Sequence, residues 1–377
     1  MNVTQAFTGL FANFANLTWQ MVVMWGIGGL LIYLAIARKM EPSLLLPMGF
    51  GAILVNLPLS GAITQGQTEG PLSVLFQAGM ANELFPLLLF IGIGAMIDFG
   101  PLLEKPWLML FGGAAQLGIF LTFVVAGLFF ELNDAASIAI IGAADGPTAI
   151  FVANTLGSRY LGAIMVAAYS YMALVPIVQP PVIRLVTTRK ERRIRMEYKK
   201  GSVSRTTRIL FPIVVTVTAG LVAPASVALV GFLMFGNLLR ECGVLNALSE
   251  TAQNVLANLI TIVLGLTVAS QMTAEQFVRP DTLLILALGL FAFVFDTVGG
   301  VLLAKLINLF LPEGRKINPM IGAAGISAFP MSGRVVNQMG LAEDNQNFLL
   351  MYSISVNVSG QIASVIAGGL LLTLMGV

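Results

Sequence analysis

Twelve stretches of this chain are apolar for long enough to enter or cross a bilayer, and that restricts its fold more than any other feature. They lie at about 17–37, 43–60, 84–101, 106–130, 136–154, 160–187, 207–222, 224–240, 256–271, 281–311, 319–337 and 347–375. In hydrocarbon a backbone N–H or C=O finds no water, so each stretch must satisfy its own hydrogen bonds as a helix. The surface chemistry agrees. Only 10% of the 377 residues are charged, 57% are apolar, and the mean hydropathy is +0.90, whereas a soluble domain carries about a quarter charged residues. The sequence therefore predicts an all-α integral membrane protein, a polytopic helical bundle with lipid as the solvent over most of its area.

Several chemistries are closed to it. The chain has no histidine, and so no imidazole base, zinc ligand or neutral-pH imidazole switch. A single cysteine, Cys242, excludes an internal disulfide and a cysteine-cluster metal site, and is best read as a small buried filler. A net charge of +2 gives no footprint for nucleic acid. The leader before Leu17 lacks a basic n-region, so the first apolar run reads as a span and not as a cleaved signal.

Positive charge is concentrated in one place. Residues 184–208 read RLVTTRKERRIRMEYKKGSVSRTTR, and such a loop between spans stays on the cytoplasmic side. It reads as a solvated loop that fixes topology, or as a docking surface for a soluble partner or anionic lipid. On either side of it the chain is duplicated. GPLSVLFQAG at 70–79 matches GVLNALSETA at 243–252, and Gly92 matches Gly265 at the same offset; Pro147, Asn154, Gly157 and Tyr169 match Pro330, Asn337, Gly340 and Tyr352 at another. The first span ends at Arg38-Lys39, whereas the seventh begins after Arg205 and Arg208. Equivalent helices then run in opposite directions, giving two inverted-topology repeats. The predicted division is a first repeat at 1–186, a basic cytoplasmic loop at 187–206 and a second repeat at 207–377. Six full crossings in the first repeat would leave the basic loop on the wrong side, so one run there is broken or re-entrant. The candidate is 136–154, interrupted at Asp145-Gly146-Pro147. Its counterpart at 318–337 is interrupted by Gly325 and Pro330. Paired broken segments in inverted repeats point to a binding site at the membrane midplane.

The polar residues of these segments carry the chemistry. Asp145 has no other charged residue within ten positions, and a carboxylate at membrane depth is costly unless it works. It also suits the cap of a helix starting at Pro147. Beside a helix break, carboxylate and freed carbonyls form a hard-oxygen setting for an alkali cation or a proton. Asn318-Pro319 opens the matching segment, where Gly322, Gly325, Ser327 and Ser332 allow close packing. Arg334 is a guanidinium in an apolar run; it pairs with a carboxylate of protein or substrate, or else snorkels to the interface. In the last run Ser355, Asn357, Ser359 and Gln361 offer neutral oxygens for a cation, or for interhelical hydrogen bonds. Tyr169 and Tyr171 follow the Asp145 segment as phenols, or as interface-belt tyrosines. Asp98 lies near a helix end, and Asp296, in mid-run, is a second candidate for the ion path.

GAADGPTAIFVA, the following YSYM, INPMIGAAGISAFPMSGRVVN and NVSGQIASVIAGG together resemble the beta subunit of sodium-translocating biotin-dependent decarboxylases, the group acting on oxaloacetate, methylmalonyl-CoA and glutaconyl-CoA. The resemblance covers nearly the whole chain. It implies a membrane subunit that decarboxylates carboxybiotin with proton uptake and couples this to outward Na+ translocation. It further implies a carboxyltransferase subunit and a biotin carrier as partners, a small single-span companion, a homo-oligomer, and residence as a multi-pass protein in the prokaryotic plasma (inner) membrane. By matching motif positions, Asp145 is the sodium-binding, proton-linked aspartate, and Asn318, Gly322, Ser327 and Asn357 belong to the sodium path. Tyr171 couples proton delivery and, with Arg334, serves the carboxybiotin end. A stand-alone sodium-coupled transporter is the alternative reading of the residues alone; a passive membrane anchor has no use for Asp145 or Arg334.

Overall fold

The computed structural model describes residues 12–197 and 201–377; most of the polar leader, and Tyr198, Lys199 and Lys200 of the basic segment, lie outside them. Among the described residues the elements are helical, apart from one isolated bridge between Gln65 and Thr68, and all twelve apolar runs contain helix. In chain order the principal helices are α1 (Trp19–Ala37), α2 (Pro42–Val55), α3 (Leu84–Met96), α4 (Met109–Ala114), α5 (Leu117–Ala126), α6 (Leu132–Ala139), α7 (Gly146–Thr155), α8 (Leu161–Val186), α9 (Arg189–Arg192), α10 (Arg205–Val222), α11 (Val227–Glu241), α12 (Ala257–Ala269), α13 (Pro280–Phe310), α14 (Met331–Glu343) and α15 (Leu350–Leu374).

Among the described residues seven helices are long and apolar enough to cross a membrane, or eight if Pro71–Met80 and Leu84–Met96 are counted as one bent span. Large apolar side chains such as Leu128, Leu221, Leu309 and Phe310 stand more than three-quarters exposed. Water would penalise such a surface; hydrocarbon does not. The order of elements recurs along the chain. Pro71–Leu75 runs into a π turn at Phe76–Met80, as Asn246–Glu250 does at Thr251–Leu256. Each half also carries a broken segment shortly before a long helix, α8 or α15.

The chain packs as two compact units that cut across its order, each drawing on both halves: Met1–Phe85 with Asn258–Leu284, and Pro86–Ala257 with Ile285–Val377. In the first, α1 and α2 approach closely at Gly28 and Gly49, where a methyl on either would lie 2.7 Å from the other's carbonyl oxygen. Buried Asn56 fastens the end of α2, donating to Ala52 and Met272 and accepting from the Ala274 N–H, each at 2.7 Å. That leaves no orphan on a buried amide.

The second unit contains both broken segments, at 132–155 and 318–343, together with α13 from Ile285 onward and α15. Among the spans α15 is the most enclosed. Its serines keep a polar helix soluble in that interior by bonding carbonyls of their own helix, as Ser355 does to Met351 at 2.7 Å and Ser359 to Val356 at 2.7 Å. The second broken segment presses against α13, where Gly322 and Gly300 meet backbone to backbone with no room for a Cβ on either.

Candidate functional site

The first break arises from local chemistry. A 3-10 turn at Ile140–Ala143 follows α6, and Ala144 takes the left-handed region (φ 50°). Asp145 is extended and becomes the N-cap of α7, whose first residues are Gly146-Pro147. Proline lacks an N–H to satisfy and brings a helical φ, so it starts a helix here while ending the previous one. In the second break Asn318 caps a 3-10 turn at Pro319–Gly325 by accepting the Met320 N–H at 3.1 Å. Extended Ile326 follows, then the cis Phe329–Pro330 peptide and α14.

The two breaks meet. The N–H of Ser327 donates to the carbonyl of Ala143 at 3.0 Å, bringing the second break alongside the turn that carries Asp145. Helix α15 closes the group. Ser327 Oγ donates to the Gly360 carbonyl at 2.9 Å, Asn357 Nδ2 to Ile326 at 2.7 Å, and Gln361 Nε2 to the Ser327 carbonyl.

Asp145 is 4% exposed. Its Oδ2 accepts hydroxyl donors from Thr148 at 2.5 Å and from Ser364 at 3.2 Å, and the N-terminus of α7 adds a favourable dipole for negative charge. Among the described residues no lysine or arginine pairs with it. The Tyr169 ring lies against Gly146, leaving no space for a Cβ, and its hydroxyl is buried without a hydrogen-bond partner. The amide oxygens of Asn357 and Gln361 are also buried and unpartnered, because their nitrogens are held by the second break. One carboxylate among neutral oxygens can offset a single positive charge and supply hard ligands to it.

The proposed residues do not all gather here. Asp145, Ser327 and Asn357 do. Gly322 serves packing against α13. Asn318 turns its amide away, donating to the carbonyls of Arg192 and Ile194 at 2.9 Å each. Tyr171 is buried on α8 and donates to the Leu286 carbonyl of α13. Arg334 is exposed on α14, with no ion-pair partner among the described residues. Thr148 and Ser364 escape sequence reasoning. The first sits three residues past the capping aspartate, and the second shares a face of α15 with Asn357 and Gln361, at the spacing i, i+4, i+7.

Asp296 is a second buried carboxylate. Its Oδ1 accepts the Ile119 N–H at 3.1 Å, at the start of α5. Its Oδ2 is buried with no partner and lies where a Cβ on Gly142 would approach to 2.6 Å.

Residues 187–197 of the basic segment fold onto the protein, unlike a purely solvated loop. Thr188 and Glu191 form a capping box for α9. Arg192 pairs with Glu343 at 2.7 Å and Arg195 with Asp344 at 2.6 Å, while Tyr352 donates to the Glu197 carbonyl at 2.9 Å. The Arg192 hydrogen bond, with the charges of Arg192 and Arg189, holds the Glu343 carboxyl below the usual carboxylate range; Arg195 does the same for Asp344.

A family model described as the Na+-transporting oxaloacetate decarboxylase beta subunit matches residues 20–375. The methylmalonyl-CoA decarboxylase subunit beta of Propionigenium modestum is 46% identical over 387 residues, covering 97% of each chain. The oxaloacetate decarboxylase beta chain of Klebsiella pneumoniae is 43% identical over 409 residues, covering 93% of this chain and 94% of its own. The glutaconyl-CoA decarboxylase subunit beta of Acidaminococcus fermentans is 44% identical over 366 residues, covering 97% and 96%.

Proposed function

This chain belongs to the family of Na+-transporting decarboxylase beta subunits, and from that premise we propose that it decarboxylates carboxybiotin and uses the event to move Na+ outward past Asp145. The observation that carries the reading is the meeting of the two breaks at one buried carboxylate. Asp145 shares its Oδ2 between Thr148 and Ser364, and the helix that supplies Ser364 also carries Asn357 and Gln361, whose buried amide oxygens have no hydrogen-bond partner.

A buried carboxylate must be neutralised, and either Na+ or a proton can do it. The site therefore exchanges one for the other: sodium leaves as a proton arrives. In decarboxylation the C–N bond of carboxybiotin breaks, its electron pair stays on the ring nitrogen, and that nitrogen takes up a proton as carbon dioxide departs. Arg334, exposed on α14, is the proposed group that receives the carboxylate, by bidentate contact. Tyr171 is the proposed proton relay. The partners are a carboxyltransferase, a biotin carrier and a small single-span subunit, within a homo-oligomer. In this reading the two halves are inverted repeats, and one assembly moves against the other to alternate access.

The test is labelled-sodium uptake into inverted vesicles holding the assembled complex, with and without avidin, comparing Asp145→Asn. Uptake that requires decarboxylation, stops with avidin and is lost in the variant upholds the reading. Avidin-insensitive uptake driven by a proton gradient would make the chain a secondary transporter. Full uptake by Asp145→Asn would remove Asp145 from the path.

A further inference from the structure

Asp296 has no part in the exchange just described, yet it is the better enclosed of the two carboxylates, at 0% exposure. It sits midway along α13, a 31-residue span, so water is not its solvent. The surroundings are shaped to its carboxyl group. A Cβ on Gly118 would lie 2.7 Å from Oδ1, and one on Gly142 would lie 2.6 Å from Oδ2. Two backbones from different elements thus come up against the two oxygens, and a side chain at either position would displace them.

The two oxygens are treated differently. Oδ1 accepts the Ile119 N–H, one of the donors that α5 frees where it restarts after α4. That is a capping role, and an asparagine could fill it without a buried charge. Oδ2 is not needed for capping. It is fully buried, has no hydrogen-bond partner, and faces Gly142 in the 3-10 turn that leads, three residues later, to Asp145. No lysine or arginine among the described residues forms an ion pair with Asp296. The titratable groups on the elements around it are Asp134 and Asp145 before and after the Ile140–Ala143 turn, Asp281 and Lys305 toward the two ends of α13, and Tyr169, Tyr171 and Arg184 on α8, with Tyr171 bonded to α13 itself. Leaving a desolvated acceptor empty costs about 1–3 kcal/mol, and more when it is charged. A protein that needed only the cap would shed that cost.

We propose that Asp296 is a second monovalent-cation site of this subunit, distinct from the site at Asp145, with Oδ2 as the atom that takes up sodium or a proton. The proposal rests on the reading of Asp145 as the first such site. Two cation-accepting carboxylates then bear on the Ile140–Ala143 turn, Asp296 through Gly142 and Asp145 two residues past the end of the turn.

The experiment uses the full complex, with Asp296→Asn, Asp296→Ala and Asp145→Asn compared with the unaltered protein. Bound labelled sodium is counted per chain, and decarboxylation is followed as a function of pH. Loss of one sodium per chain in Asp296→Asn assigns the site to sodium. An unchanged sodium count with a pH profile displaced by a unit or more assigns it to a proton. If Asp296→Asn alters neither while Asp296→Ala melts earlier, the carboxylate only caps α5 and the proposal falls. Infrared difference spectra of the unaltered protein, taken on adding sodium and on changing pH, give a measure that needs no Asp296 variant. Two carboxyl bands must respond, one of them surviving in Asp145→Asn; a single band lost in that variant overturns the proposal. Failure of the underlying reading looks different, because Asp145→Asn would then bind and pump sodium normally.

Discussion

Ser364 of α15 donates its hydroxyl to the same oxygen of Asp145 that Thr148 holds from α7, at 3.2 and 2.5 Å. The carboxylate is thereby fixed by two helices. Hydrogen bonds to a charged group are worth about 1.5–3 kcal/mol. Ser364→Ala should therefore raise the sodium concentration for half-maximal decarboxylation by about ten- to a hundredfold, while Ser355→Ala, whose hydroxyl bonds Met351 within α15, should change it little. Sodium titrations of the two variants check this.

Gly322 faces the Gly300 backbone with no room for a Cβ, whereas Gly314 has open space around it. Gly322→Ala should destabilise the protein by about 1–3 kcal/mol, the usual cost of overpacking, and Gly314→Ala should not. Thermal unfolding in detergent distinguishes them. Equal melting of the two would mean that the second break yields easily to α13.

Asn318 spends its amide nitrogen on the Arg192 and Ile194 carbonyls and its oxygen on the Met320 N–H. Asn318→Asp keeps the cap acceptor but removes both donors and sets a carboxylate against two carbonyl oxygens. It should lower the melting temperature more than Asn318→Ala, although aspartate caps helices as well as asparagine does. If Asn318 acts chiefly as a sodium ligand, the order should reverse at high sodium.

The pairing of Glu343 with Arg192 has a sign in pH. The Glu343 carboxyl is held below its ordinary value, so its contribution is complete above the unfolded value of about 4.3 and is lost as pH falls through the folded one. Amide exchange over residues 189–197, corrected for its intrinsic pH dependence, should quicken as pH drops below about 4.3. Glu343→Gln should show the faster exchange already at neutral pH.

The helices and the first break were legible because each has a local cause. Apolar runs must close their own hydrogen bonds in lipid, and Asp145-Gly146-Pro147 ends one helix and starts another whatever surrounds it. The partners of Asp145 were less legible. Ser355, Ser359 and Ser364 are alike in the sequence, and only the phase of α15 against α7 directs Ser364 to the carboxylate. The folding of the basic segment was hidden for a similar reason, since Arg192 and Arg195 find Glu343 and Asp344 about 150 positions away in the chain. Nothing local distinguishes those arginines from others that end in solvent.

Asn318 stands at the first residue of the second break, and its amide clasps the backbone of the basic segment at two points. The clasp joins a surface segment to an interior break through one side chain. A displacement of this segment bears on the root of Pro319–Gly325 through Asn318, and on the end of α14 and on α15 through Glu343, Asp344 and Tyr352. The segment is thus a handle on the second break: whatever grips it from outside the membrane has purchase on the interior without entering it.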